Sequence, residues 1–195
     1  MKQVIIHSRR WLLEGFLKVE EVELQFEKLD GSLSPKLKRL SMERGDAVAA
    51  LVWHIEKQQL LFTRQFRLPA YNKGEGWVTE VIAGGLKKGE DPKEAMKREI
   101  EEEAGYLPQN MTHIHTFFVS PGGTSERILL YFCKVSEQDK TNEGGGLAIE
   151  NEDIEILRIT HTEFFDAIDQ GKISDAKTLI AGLWLKGNLG ELKLP

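Results

Sequence analysis

The segment that most constrains this chain is residues 84–106, GGLKKGEDPKEAMKREIEEEAGY. It bounds a helix at both ends. Asp91-Pro92-Lys93-Glu94 has the pattern of a capping box with proline at the first helical position, and Gly105 suits the residue that stops a helix. Gly84, Gly85 and Gly89 make the preceding stretch a loop. On the helix, Glu99 and Glu103 are one turn apart and Glu99 and Glu102 three residues apart, so the three carboxylates aim at one region. Such neighbours disfavour one another by roughly a few tenths of a kcal/mol per pair on an exposed face, and a bound cation reverses that sign. Hard oxygen donors suit Mg²⁺ or Mn²⁺ rather than zinc. A glutamate-rich helix face is ordinarily just solvated, so the frame around these three residues carries the argument.

The bulk chemistry narrows the field. The 195 residues suffice for one substantial core, alone or with a small extra lobe. A net charge of −5 argues against a nucleic-acid binder that works by neutralising phosphates. Cys133 is the single cysteine, which excludes an intramolecular disulfide and a thiolate zinc cluster. The first residues lack the apolar stretch of a secretory signal, and no run reaches about 18 apolar residues. The expected location is the cytoplasm, with no membrane partner.

Along the chain, residues 1–44 read as strands and turns. Val22, Leu24 and Phe26 alternate with charged or polar residues, and Asp30-Gly31 is a hairpin-type turn. This stretch is too small to hold a core alone and is expected to pack on the main domain or a second subunit. Strands are expected at 47–55, 59–67, 77–82, 112–119, 127–135 and 154–159. Residues 137–146, polar and glycine-rich, read as a mobile loop. A helix is expected from Thr162, as N-cap, to Gln170, and another over 175–186 burying Leu179, Ile180, Leu183 and Trp184. Late helices after many strands, with one helix between, indicate an α+β or helix–sheet–helix sandwich.

The complete spacing of the 84–106 segment is Gly, five residues, Glu, seven residues, Arg-Glu, an aliphatic residue, any residue, Glu-Glu, any residue, Gly, then a bulky apolar residue. It resembles the Nudix box of the Nudix hydrolases, with every defining position filled. Seven fixed identities at ~6% usage would arise by chance in such a chain with a probability on the order of 10⁻⁶. The resemblance implies an α/β/α sandwich with a mixed sheet, plus a small N-terminal β lobe over 1–44 beside a hydrolase domain over 45–195. It implies hydrolysis of a nucleoside diphosphate linked to another moiety, with Mg²⁺ or Mn²⁺. It makes Glu99, Glu102, Glu103 and the Ala83 carbonyl metal ligands. It makes Gly84, Glu90, Arg98 and Gly105 structural, with Arg98 pairing Glu90 and orienting the glutamates.

Residues outside the box speak to the substrate. Pro121 stands sixteen residues after Gly105, and Ser120-Pro121-Gly122-Gly123 with the following Thr124-Ser125-Glu126-Arg127 resembles the signature of ADP-ribose pyrophosphatases. The segment from Gly144 to Glu155 resembles a loop shared with GDP-mannose pyrophosphatases. By that resemblance Glu150 is the general base and Glu152 a glutamate that approaches a metal. Arg67, in a strand end resembling the same subfamily, and Arg39 are the expected diphosphate-binding arginines, since a guanidinium fork matches phosphate oxygens. Pro121 and Glu126 join them as expected substrate contacts. The subfamily resemblance further implies a homodimer that exchanges its N-terminal strands. The expected substrate is a nucleotide sugar. ADP-ribose, giving AMP and ribose 5-phosphate, is preferred over GDP-mannose, giving GMP and mannose 1-phosphate, although the Gly144–Gly146 run leans toward the latter. A catalytically silent nucleotide-binding module and an enzyme for oxidised nucleoside triphosphates are the alternatives.

Overall fold

The computed structural model describes residues 2–147, 153–192 and 194. The described chain forms two compact units, Met1–Asp46 with Phe118–Arg127, and Ala47–Phe117 with Ile128–Pro195.

The first unit holds a three-stranded antiparallel sheet in the order β1 (Val4–Glu14), β2 (Lys18–Phe26), β3 (Leu37–Glu43). Asp30 and Gly31 turn the chain after β2. Gly31 takes a φ of +83°, and its N–H donates to Lys28 O at 3.1 Å. Residues 118–127 join this unit because their backbone bonds to the end of β3. Met42 N–H donates to Gly123 O at 2.9 Å, and Ser125 N–H donates to Met42 O at 3.1 Å. Arg127 closes the segment with an ion pair to Asp46 at 2.6 Å. The Asp46 carboxyl is held below its usual range chiefly by hydrogen bonds from Arg127.

The second unit is built on a seven-stranded mixed sheet. Its path is β10 (Glu155–Ile159), β5 (Gln59–Phe66), β4 (Ala47–His54), β9 (Arg127–Val135), β8 (Met111–Phe118). β4 and β5 pair only near their connecting turn, Val52 opposite Leu61, Trp53 opposite Leu60 and His54 opposite Gln59. Beyond that they splay, and β6 (Trp77–Glu80) pairs β5 while β7 (Ile82–Gly85) pairs β4. The segment that leads into the glutamate helix therefore fills the fork between two core strands.

Strand alternation sends side chains into two cores. Leu51, Trp53, Phe62, Leu130 and Phe132 pack with Phe164, Ala181 and Leu185 on one face. Val48, Val52, Leu61, Ile82 and Tyr131 pack with Ala95, Met96 and Ile100 on the other. The first face is covered by α3 (His161–Asp169) and α4 (Ala176–Leu192), the second by α2 (Pro92–Ala104). This is the expected α/β/α sandwich. Each fully buried Leu, Ile or Phe contributes about 1.5–3 kcal/mol, so both layers are needed to hold the sheet.

Several local expectations need correction. α3 is capped by Thr160, not Thr162: Thr160 Oγ1 accepts from Glu163 N–H, and Glu163 reaches back to Thr160 N–H at 2.7 Å. The reciprocal box outcompetes a lone hydroxyl two residues later. α4 runs six residues past 186, and Leu183 is 56% exposed while Ala181, Gly182 and Leu185 face the core. A short helix α1 (Leu68–Tyr71), with Pro69 in its first turn, follows directly after Arg67, where no helix was expected.

Candidate active site

Helix α2 begins as the sequence dictates, with one difference. Asp91 accepts from Lys93 N–H at 2.9 Å and Glu94 N–H at 3.2 Å, but Glu94 pairs with Lys97 at 2.8 Å instead of completing a capping box. The apolar stripe Ala95, Met96, Ile100 and Ala104 is buried, which fixes the helix roll and places Arg98, Glu99, Glu102 and Glu103 along the edge next to β7.

Arg98 gathers the carboxylates. Its Nη1 lies 2.8 Å from Glu99 Oε1 and 3.1 Å from Glu102 Oε2, and its Nε donates to Glu90 Oε1 at 3.3 Å. Burial works against the guanidinium charge, but Glu90, Glu99 and Glu102 outweigh it and hold Arg98 more firmly protonated than usual. Glu90 also accepts from Lys87 N–H at 3.0 Å. That backbone bond first, and Arg98 second, keep its carboxyl below the ordinary glutamate range. Glu103 is buried, and Ala83 N–H points at its Oε2 from 3.4 Å. Gly84 lies directly over the Glu99 carboxylate, so a Cβ there would overlap it. Gly84 therefore serves close approach and not turn geometry. Arg98, Glu99 and Glu102 line a cleft of about 310 Å³ together with Gly85, Leu86, Lys87 and Leu147.

The cluster has the chemistry to take a hard divalent cation, since Glu90, Glu99 and Glu102 crowd around a single guanidinium and Glu103 stands on the same helix edge. Among the described residues, no three acidic, histidine or cysteine side chains converge on one point in the arrangement seen. Glu99 and Glu102 lean to Arg98, and Glu103 leans to Ala83.

The C-terminal end of α2 is held by the segment expected to be a mobile loop. Glu137–Asp139 forms one 3₁₀ turn, capped by Ser136. Gly145 N–H then donates to Glu103 O at 2.9 Å, Gly146 N–H to Glu102 O at 3.0 Å, and Asn142 Nδ2 to Glu101 O at 3.2 Å. A helix leaves its last carbonyls without partners, and this run supplies them. Gly144 has a φ of +68°, and a Cβ there would meet Glu103 O at 2.6 Å and Ala104 C at 2.7 Å. The described start of the segment that resembles a loop of related enzymes is thus fastened to the end of α2. Glu150 and Glu152 lie outside the described residues.

The remaining expected residues fall in two places. Arg67 is in the second unit, where its Nε donates to the buried Glu80 at 2.8 Å. Arg39, Pro121 and Glu126 are in the first unit. Arg39 is exposed, and its Nη1 donates to Lys38 O at 3.0 Å. Pro121 is exposed at the start of a turn in which Gly123 N–H donates to Ser120 O at 3.0 Å. Glu126 is buried and pairs with Arg44 at 3.5 Å.

The model of the NUDIX domain matches residues 43–179. The chain belongs to the NUDIX family. It is 33% identical over 193 residues to the ADP-ribose pyrophosphatase of Escherichia coli strain K12, across 97% of this chain and 91% of that one. It is 32% identical over 180 residues to the GDP-mannose pyrophosphatase of Cronobacter sakazakii, across 90% and 92% of the two chains. A crystal structure of an ADP compounds hydrolase superposes with a TM-score of 0.73 at 18% identity, over 99% of this NUDIX chain. That likeness establishes the fold. No helix among the described residues is long and apolar enough to cross a membrane.

Sequence reasoning missed Glu80 and the α4 residues that meet it. The available signal was a lone carboxylate inside the apolar run from Trp77 to Ala83, since an ionised side chain in a core strand is rarely without a partner.

Proposed function

We propose that this NUDIX hydrolase cleaves the diphosphate of a nucleoside-diphosphate sugar, with ADP-ribose as the first substrate and AMP and ribose 5-phosphate as products. The observation that carries the reading is the Arg98-gathered carboxylate cluster under Gly84, within a chain alignable almost end to end with named pyrophosphatases. Glu99, Glu102, Glu103 and the Ala83 carbonyl are the proposed cation ligands, with Mg²⁺ the first choice and Mn²⁺ the second. When bound, such an ion offsets the carboxylate charge and polarises the diphosphate.

The chain's own groups do the rest. Glu90 and Arg98 hold the carboxylates in register. Arg67 and Arg39 bind diphosphate oxygens through their guanidinium forks, and Pro121 and Glu126 shape the substrate side. Glu150 takes the proton from the attacking water, and Glu152 approaches the cation.

A homodimer is also proposed. Strand β1 is an 11-residue edge strand whose Trp11, Leu12 and Leu13 are about half exposed, and Phe16 beyond it is 88% exposed. A long apolar edge left open is a pairing hazard, and a second copy is the natural cover. Cytoplasmic placement is proposed with it.

A substrate panel tests the reading. Purified protein is assayed with ADP-ribose, GDP-mannose and nucleoside triphosphates, with Mg²⁺ and with chelator. Expected is chelator-sensitive release of AMP from ADP-ribose. Faster release of GMP from GDP-mannose would move the assignment to the other sugar, and inertness toward every nucleotide sugar would sink it.

A further inference from the structure

We infer that Glu80 is a positioning residue for Arg67, and that it presents the outer face of that guanidinium to the substrate diphosphate. The inference rests on the proposed phosphate role of Arg67.

Glu80 ends β6 with only 6% of its surface exposed. A buried carboxylate needs charged partners, and it has two from different elements. Arg67 donates to Oε2 through Nε at 2.8 Å, and Lys177 of α4 pairs closely with Oε1. Lys177 is fixed in turn by Asp175 at 2.9 Å. Asp175 also accepts from Thr178 N–H and Oγ1, at 2.9 and 2.6 Å. Thr178, fully buried, accepts from Val81 N–H at 2.8 Å, one residue after Glu80. The carboxylate is therefore tied to α4 by its side chain and by its neighbour's backbone. Arg67 N–H donates to Gly76 O at 2.8 Å, which fixes the arginine backbone as well.

The grip leaves one side of the guanidinium open. Arg67 makes a single side-chain hydrogen bond among the described residues, from Nε, while 43% of its side chain is exposed. Its Nη groups are thus presented outward as a fork, the geometry that matches phosphate oxygens. The placement suits the cleft. Glu80 precedes Ala83 by three residues of nearly continuous strand, about 10 Å of extended chain. Without its anchor, Arg67 would sample many rotamers, and ordering it would be charged against substrate binding. Arg64, three residues earlier, pairs with the exposed Glu155 at 3.7 Å and lacks a buried anchor.

The test is a double-mutant cycle on Glu80→Gln and Arg67→Ala, read in two ways. One is KM and kcat for ADP-ribose in Mg²⁺. The other is calorimetric Kd for ADP-ribose in chelator, where no turnover occurs. Glu80→Gln is expected to raise KM and Kd about tenfold while kcat stays within about twofold. In the Arg67→Ala background the same change is expected to add nothing. A full tenfold loss from Glu80→Gln without Arg67 overturns the inference, because Glu80 then acts by another route. An unchanged KM and Kd in Arg67→Ala alone removes the substrate role of Arg67, and the inference with it, while leaving the hydrolase reading intact. If Glu80→Gln does not fold, Lys177→Met replaces it in the cycle. That variant frees one oxygen of the anchor, and an effect of about threefold that vanishes without Arg67 is expected.

Discussion

The two charge clusters of the hydrolase unit are built on opposite plans. Around Arg98, Glu90, Glu99 and Glu102 share one guanidinium, so negative charge is left in excess. Around Glu80, two cations meet two carboxylates, Arg67 and Lys177 against Glu80 and Asp175. The first cluster opens on a cleft and the second is tied into α4 and the strand fork. An unbalanced cluster invites a cation, whereas a balanced one gains nothing from another ion and serves as a frame. The chain thus keeps its chemical demand on one helix edge and its rigidity on the other face of the fork.

The sharpest way to break the contrast is at Glu103. Glu103→Gln keeps the size of the side chain and its acceptor for Ala83 N–H, so thermal stability should hold. Activity should fall by at least about 10²-fold, with weakened Mg²⁺ binding by calorimetry. A variant with wild-type turnover would falsify the ligand role. Next in size is Gly84→Ala. The new methyl would occupy the place of the Glu99 carboxylate. Displacing one group of a reacting array by about 1 Å can cost about 10²-fold, so kcat should drop tenfold or more while circular dichroism shows a folded protein. Unchanged kcat in a folded variant would show that Glu99 tolerates another position.

These two residues also mark what a sequence can disclose. The spacing from Gly84 to Gly105 is local, so helix periodicity and cap chemistry suffice to put Glu99, Glu102 and Glu103 on one edge. The sandwich was legible for a similar reason, because the apolar run of β4, buried along its whole length, and the order of strands and helices can be read locally. Glu80 was not legible as an anchor. Its partners Arg67 and Lys177 stand 13 and 97 residues away, and nothing local ties them together. The loop 137–146 was misread because its polarity matches that of mobile loops. Its partners are the unpaired carbonyls at the end of α2, which composition does not reveal.

That loop supplies a prediction of intermediate size, on stability more than chemistry. Gly144 sits at φ +68° against the backbone of Glu103 and Ala104. Gly144→Ala adds a left-handed non-glycine residue and a backbone overlap, a cost of about 1–3 kcal/mol. The midpoint of denaturant unfolding should fall, and the amide protons of Gly145 and Gly146 should exchange faster. If those amides exchange at the wild-type rate and the midpoint holds, the loop does not clamp the carboxylate helix. Gly145 tests the same clamp from open space, since a Cβ there meets only Ile154 O at 3.9 Å. Gly145→Ala should therefore cost less than Gly144→Ala.

The smallest expected effect lies in the charge of Glu90. Its carboxyl titrates below the ordinary value of 4.5 in the folded chain, through Lys87 N–H and then Arg98. A depressed folded value means that the unfolded chain takes up the proton first. The contribution to stability is therefore complete above about pH 4.5 and is lost as the pH falls through the lower folded value. Glu90→Gln keeps an acceptor for Lys87 N–H but removes the charge facing Arg98. Wild type and variant should differ by a constant small shift in melting temperature at neutral pH, and the two curves should converge on acidification below about pH 4.5. A gap that persists unchanged into strong acid would mean that Glu90 acts by packing alone, and the unbalanced cluster would then hold its arginine through Glu99 and Glu102.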